Sequence, residues 1–214
     1  MLGNAAKIVR NPLEVDSRLK ALGLDVQTVR TIAQKAAAAR NEATDIDPVT
    51  TPGTLAYIYG VRAIREELLP GGAWQIDRTE NIEATYNPST GKKIVYQNVD
   101  VACSANDPQP ISGKGEGAKR LVGTQSYLFP YMEKEEEAKA NTEVWFLCVS
   151  FHEEEFRVEL SCPSSIEGKQ FGEFAERIHV VTKDCWSNDS VMLDQDDVVD
   201  EVNIDFDISR KSKS

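Results

Sequence analysis

Apolar residues recur every three to four positions through the first third of the chain and close to every second position through much of the rest. That change of period near Trp74 predicts an N-terminal helical part followed by strands. Residues 13–22 read as a first helix closed by Gly23 in a C′ position, and Asp25 reads as the N-cap of a second helix running to about residue 42. The stripe on that second helix, Val26, Val29, Ile32, Ala33, Ala36 and Ala37, is narrow and made mostly of small residues, which suits close packing on another element. Thr51 and Pro52 supply a cap and a first-turn proline for a third helix to about residue 69, with Ile58, Val61, Ile64 and Leu68 at helical spacing. Pro70, Gly71 and Gly72 end it.

Further along, residues 73–77 and 82–86 are short strand candidates, and the Asn-Pro-Ser-Thr-Gly turn at 87–91 leads into a longer one over 93–103. Residues 143–152 and 156–162 predict a hairpin across three glutamates. Its first strand is apolar on both faces and is expected to be central, whereas the second alternates Phe156, Val158 and Leu160 with Arg157, Glu159 and Ser161. Phe171, Phe174, Ala175 and Ile178 stand at helical spacing and predict a helix over 170–178. The last element, 202–208, alternates Val202, Ile204, Phe206 and Ile208 with polar residues and reads as a half-buried strand. The fold class expected is α+β, with N-terminal helices (about 13–69) packed on a mainly antiparallel β-sheet (about 73–208). In domain terms this is a helical region 1–70, a β-rich region 71–208 sharing one continuous core with it, and a basic tail 209–214.

Composition adds little to the fold but much to the charge picture. Of the 214 residues 41% are hydrophobic and 28% charged, values of an ordinary folded chain. The formal net charge of -11 is unevenly spread. Residues 1–40 hold seven basic side chains against three acidic ones, whereas residues 184–207 hold nine carboxylates and no Lys or Arg. The strongest apolar run, 144–151, is too short to cross a bilayer as a helix, and the N-terminus lacks a secretory apolar segment. Cys103, Cys148, Cys162 and Cys185 form no CxxC pair, so reduced buried thiols in a cytoplasmic protein are expected in place of a zinc site.

The richest candidate chemistry lies in the long connection 106–120. Gly113, Lys114, Gly115, Gly117, Lys119 and Arg120 combine close backbone approach with positive charge, the ingredients of an anion site. Their spacing matches neither the GxGxxG nor the GxxxxGK[ST] fingerprint. His152 with Glu154 offers at most two metal ligands without an HExxH pattern, and the ExK triplets at 137–139 and 167–169 do not end an apolar strand. No complete catalytic set is visible, and no metal or cofactor is expected. The leading expectation is a non-enzymatic interaction protein that docks a macromolecular partner through this loop and an acidic C-terminal face, Asp194, Asp196, Asp197, Asp200, Glu201, Asp205 and Asp207. A basic nucleic-acid-binding protein would suit that face, which would then act as a nucleic-acid mimic or inhibitor, and the 202–208 strand offers β-addition to another chain or subunit. The alternative, from a different class, is a nucleotide- or phosphate-ligand protein, or an enzyme, built on the 112–120 loop.

Overall fold

Local sequence signals fix the first three helices, and side chains cap the first two. The computed structural model describes residues 6–123, 142–153 and 155–185. Asn11 opens α1 (Pro12–Ala21) by accepting from the backbone N–H of Leu13 at 3.0 Å, and Gly23 closes it with φ 75°, a conformation that favours glycine. Asp25 caps α2 (Val26–Asn41) by accepting from Thr28 N–H at 2.7 Å. α3 (Thr51–Leu68) has Pro52 in its first turn, where a missing N–H is harmless, but Thr51 is its first helical residue and not its cap, and Thr50 in the cap position makes no side-chain cap bond.

The strands form one seven-stranded sheet in the order β1-β9-β6-β5-β4-β3-β2. These are β1 (Lys7–Val9), β2 (Gln75–Asp77), β3 (Ala84–Asn87), β4 (Lys92–Asn98), β5 (Glu143–His152), β6 (Glu155–Pro163) and β9 (Phe174–Cys185). A short pair, β7 (Ile166–Glu167) with β8 (Gln170–Phe171), stands apart, and α4 (Glu116–Gly123) lies between β4 and β5. Most neighbours are antiparallel, but β1 with β9 and β4 with β5 run parallel. The chain is therefore α+β with a mixed, mostly antiparallel sheet. β5 is central, as its two-sided apolar pattern predicts. Successive residues point to opposite faces, so Trp145, Leu147 and Val149 join one buried cluster while Val144, Phe146 and Cys148 join another.

The first cluster also contains Leu19, Ile32, Ile64 and Tyr96, and the second contains Val95, Leu121, Val122, Phe171 and Phe174. The closest approach in the first is at Gly60 of α3, where a Cβ would lie 2.3 Å from the Tyr96 ring. Glycine in a helix interior ordinarily weakens it, so alanine at an open position would add about 0.5–1 kcal/mol. Here the sign reverses. Gly60→Ala is expected to destabilise by about 2 kcal/mol, because a Cβ there forces the fully buried Tyr96 ring out of its packed position. A urea midpoint that fell with an unchanged m-value would show it, and a raised midpoint would contradict the packing.

The strand expected over 93–103 ends at Asn98, and two further expectations need correction. Residues 170–178 are not a helix but β8 and the start of β9. Glu176, Arg177, Ile178 and His179 are all buried, so β9 shows no two-residue alternation, and the spacing of its aromatics imitates a helical stripe. Part of the expected flexible loop is helical instead, as α4 carries Gly117, Lys119 and Arg120. The ExK triplet at 137–139, the acidic face with Asp194, Asp196, Asp197, Asp200, Glu201, Asp205 and Asp207, the 202–208 strand and the basic tail lie outside the described residues.

Candidate functional site

β3 is shorter than β4, and that mismatch opens the site. Their pairing ends at Ala84 opposite Val95, so Tyr96, Gln97 and Asn98 continue beside β5 with no strand among the described residues on their other side. A cavity of about 840 Å³ occupies the notch, walled by the first turns of α3, by residues 80–83 and by residues 111–118. Two glycines let the 111–118 wall pack closely on its neighbours. A Cβ on Gly117 would lie 2.3 Å from the Glu80 carbonyl oxygen, and one on Gly113 would lie 2.9 Å from Lys169 Cβ.

Lys114 is the loop cation that enters the cavity. Its backbone N–H donates to Lys169 O at 2.9 Å, and its Nζ donates to Gln97 Oε1. The ammonium sits 5.0 Å from the Phe146 ring centroid and 5.7 Å from that of Phe171. Among the described residues no carboxylate lies within ion-pair distance of it. Burial pushes this amine down to about 8. Arg40, at the end of α2, also lines the cavity; its guanidinium lies 5.2 Å over the Phe151 ring and has no carboxylate partner among the described residues.

The acids of the lining are different. Glu80 accepts from Arg120 Nη2 at 2.5 Å, and Glu83 is held by Arg65 and by Arg78 at 3.2 Å. The bond from Arg65 keeps the Glu83 carboxyl below its ordinary range. Among the described residues the cavity thus carries two cations without a carboxylate partner and two neutralised acids.

Uncharged polar groups complete the lining. Tyr96 is fully buried, with its ring edge-on to Tyr57 at 6.4 Å, and its hydroxyl has no hydrogen-bond partner among the described residues. Burial raises the Tyr96 phenol well above its ordinary value, so it stays protonated. Asn98 donates from Nδ2 to Gly53 O at 2.8 Å, and its buried Oδ1 has no donor among the described residues.

The residues singled out from sequence therefore divide. Gly113, Lys114, Gly115 and Gly117 line the cavity. Lys119 pairs with Glu116 at 2.7 Å and Arg120 with Glu80, so the two α4 cations are spent on neighbouring carboxylates. Arg40, Tyr96 and Asn98 had no local signal in the sequence. The only trace was a pair of glycines, Gly53 and Gly60, seven residues apart on one helix, which meet Asn98 and Tyr96.

A second polar cluster lies between β6 and β9, in which Arg177 and Glu159 are fully bonded while His179 Nε2 has no hydrogen-bond partner among the described residues. Arg177 donates from Nε and Nη2 to the two oxygens of Glu159, each at 2.8 Å, and from Nη1 to Asp107 at 2.9 Å. Glu159 also accepts from Ser161 Oγ at 2.6 Å and Cys103 N–H at 2.5 Å. His179 Nε2 stands 3.7 Å from Glu159, and burial lowers its affinity for a proton. These bonds tie residues 103–107 to the sheet. Cys103, Cys148 and Cys162 are free thiols, and burial pushes all three up, Cys103 and Cys162 to about 12, which removes the thiolate that nucleophilic chemistry needs.

Comparison of the chain with protein-family models, curated proteins and solved structures finds no match. Among the described residues no helix is long and apolar enough to cross a membrane. The functional reading therefore rests on the site's own geometry.

Proposed function

We propose that the protein binds an anionic small molecule in the notch beside β4, with Lys114 and Arg40 meeting the negative charge. The observation that carries this is the charge state of the lining: two cations with no carboxylate partner among the described residues, beside two acids that are already paired. A cation withdrawn from water without a counter-ion costs several kcal/mol, and an anion entering the same low-dielectric space recovers that cost. This is the phosphate-ligand reading of the glycine-rich loop, narrowed to Lys114 and extended to Arg40. It takes the N-terminal helices to pack on the sheet as one wall of the site, a packing supported by the shared buried cluster and by Gly60 against Tyr96.

Thermal shift with inorganic phosphate, pyrophosphate and small dicarboxylates tests the reading. Saturating anion at a hundredfold excess over Kd should stabilise the wild type by about 2.7 kcal/mol, and Lys114→Met and Arg40→Met should each lose most of that gain. Failure of every anion to stabilise the wild type, or equal stabilisation of both variants, would falsify it. A second reading, as a non-enzymatic cytoplasmic protein that docks a basic macromolecular partner, rests on the nine carboxylates of residues 184–207. Neither reading requires turnover.

A further inference from the structure

We propose that the Lys114 amine is a nucleophile that forms an imine with an apolar aldehyde held on the α4 side of the sheet. This use of the amine is separate from anion binding, since it needs the uncharged form and neither Arg40 nor the α3 side of the sheet. Val95 and Gln97 stand two residues apart on β4, and Val95 pairs with Phe146 on β5, so all three side chains face the α4 side. Ile82 packs on the same cluster. These residues line the cavity together with Ala118 and Lys114, and Lys114 is only partly buried, so a small molecule in the cavity meets it.

The surroundings favour the uncharged amine. Nζ stands near the Phe146 and Phe171 rings and donates to a neutral amide oxygen, Gln97 Oε1, which orients the nitrogen without pinning a charge on it. At pH 7 an amine at about 8 is uncharged in about a tenth of the molecules, against about one in 2,500 for an ordinary lysine. Lysines desolvated in this way are the ones that add to carbonyl groups. In the step the Nζ lone pair bonds to the carbonyl carbon, and the two amine protons leave with the carbonyl oxygen as one water. Nothing is oxidised or reduced. The lining sets the class of aldehyde: Ile82, Val95, Ala118 and Phe146 are apolar, and Gln97 commits Nε2 to Asn98 O at 2.7 Å. A hydroxylated aldehyde would give up its water there for an apolar wall.

Reductive trapping tests the site on the full, unmodified chain. The protein is treated briefly with benzaldehyde and cyanoborohydride, and the benzylated lysines are located and quantified by peptide mass mapping. At pH 7 Lys114 should be labelled at least about tenfold faster than the exposed Lys7 and Lys20. That ratio should fall as pH rises from 7 to 10, because Lys114 is already uncharged above about 8 while ordinary lysines go on losing their protons. With glycolaldehyde in place of benzaldehyde the preference for Lys114 should shrink about fivefold or more. Labelling of Lys114 no faster than Lys7 and Lys20, or a ratio that stays flat with pH, overturns the nucleophile. An undiminished preference with glycolaldehyde overturns the apolar class. Stabilisation by phosphate in a protein whose Lys114 does not react would sink the imine and leave the anion reading standing.

Discussion

Arg177→Met alone should lower stability by about 3–5 kcal/mol, the loss expected when one partner of a buried ion pair is removed. The guanidinium and the Glu159 carboxylate are both fully buried, and the pair is bidentate at 2.8 Å on each arm. Methionine leaves Glu159 charged inside the protein, and it also releases Asp107 and the Ser104 carbonyl, which anchor the 103–107 loop. The double variant Arg177→Met/Glu159→Leu should recover part of the loss. It removes both charges, but it orphans the Cys103 N–H and the Ser161 hydroxyl, so full recovery is not expected. A double-mutant cycle in urea measures the coupling. An Arg177→Met variant within about 1 kcal/mol of the wild type would show that the pair does not hold the loop.

The same variant carries a pH signature. In the wild type burial leads the causes that depress the His179 pKa, with Arg177 adding to it and Glu159 opposing it. A histidine whose folded pKa lies below its unfolded value of about 6.5 is protonated more readily in the unfolded chain, so its contribution to stability falls as pH drops through that range. Removing Arg177 takes away one of the charges that lower the His179 pKa and so lessens the depression, with burial still its leading cause. The variant then loses less stability to His179 protonation than the wild type as pH falls below about 6.5. The deficit of Arg177→Met should therefore be smaller at pH 5.5 than at pH 8.

What the sequence disclosed follows the range of the interactions involved. Gly23, Asp25 and Pro52 act on residues within one helical turn, and their neighbours alone place three helices to within a residue or two. The β5–β6 hairpin was equally plain, because Phe156, Val158 and Leu160 face one cluster and Glu159 and Ser161 the other. β9 was not legible, since Arg177 and His179 are buried by partners distant in sequence. The site shows the same division. Lys114, Lys119 and Arg120 look alike as a basic cluster, and only the fold reveals that Glu80, forty residues away, has claimed Arg120. Arg40 and Tyr96 converge on the notch because β3 stops at Ala84, a consequence of register that no local pattern records.

Lys114→Met should stabilise the ligand-free protein at neutral pH while abolishing its anion binding. The folded amine at about 8 lies below its ordinary 10.5, so at pH 7 the protein carries a charge that burial disfavours. Each pKa unit corresponds to about 1.4 kcal/mol, and the partial exposure of the side chain brings the relief to about 2 kcal/mol. Loss of the donor to Gln97 Oε1 takes back about 1 kcal/mol, leaving a net gain of about 1 kcal/mol. Between pH 8 and 10.5 the unfolded chain binds the extra proton, so wild-type stability should rise with pH relative to the variant and overtake it near the upper end. Anion affinity should move the other way, falling as pH climbs through 8 and the ammonium loses its charge. Urea midpoints at pH 7 and 10.5, with phosphate titrations at the same two values, measure both slopes. A variant less stable than the wild type at pH 7 would mean that Lys114 serves the fold; the opposite order means that its burial is maintained at the expense of stability, as expected of a group kept for a ligand.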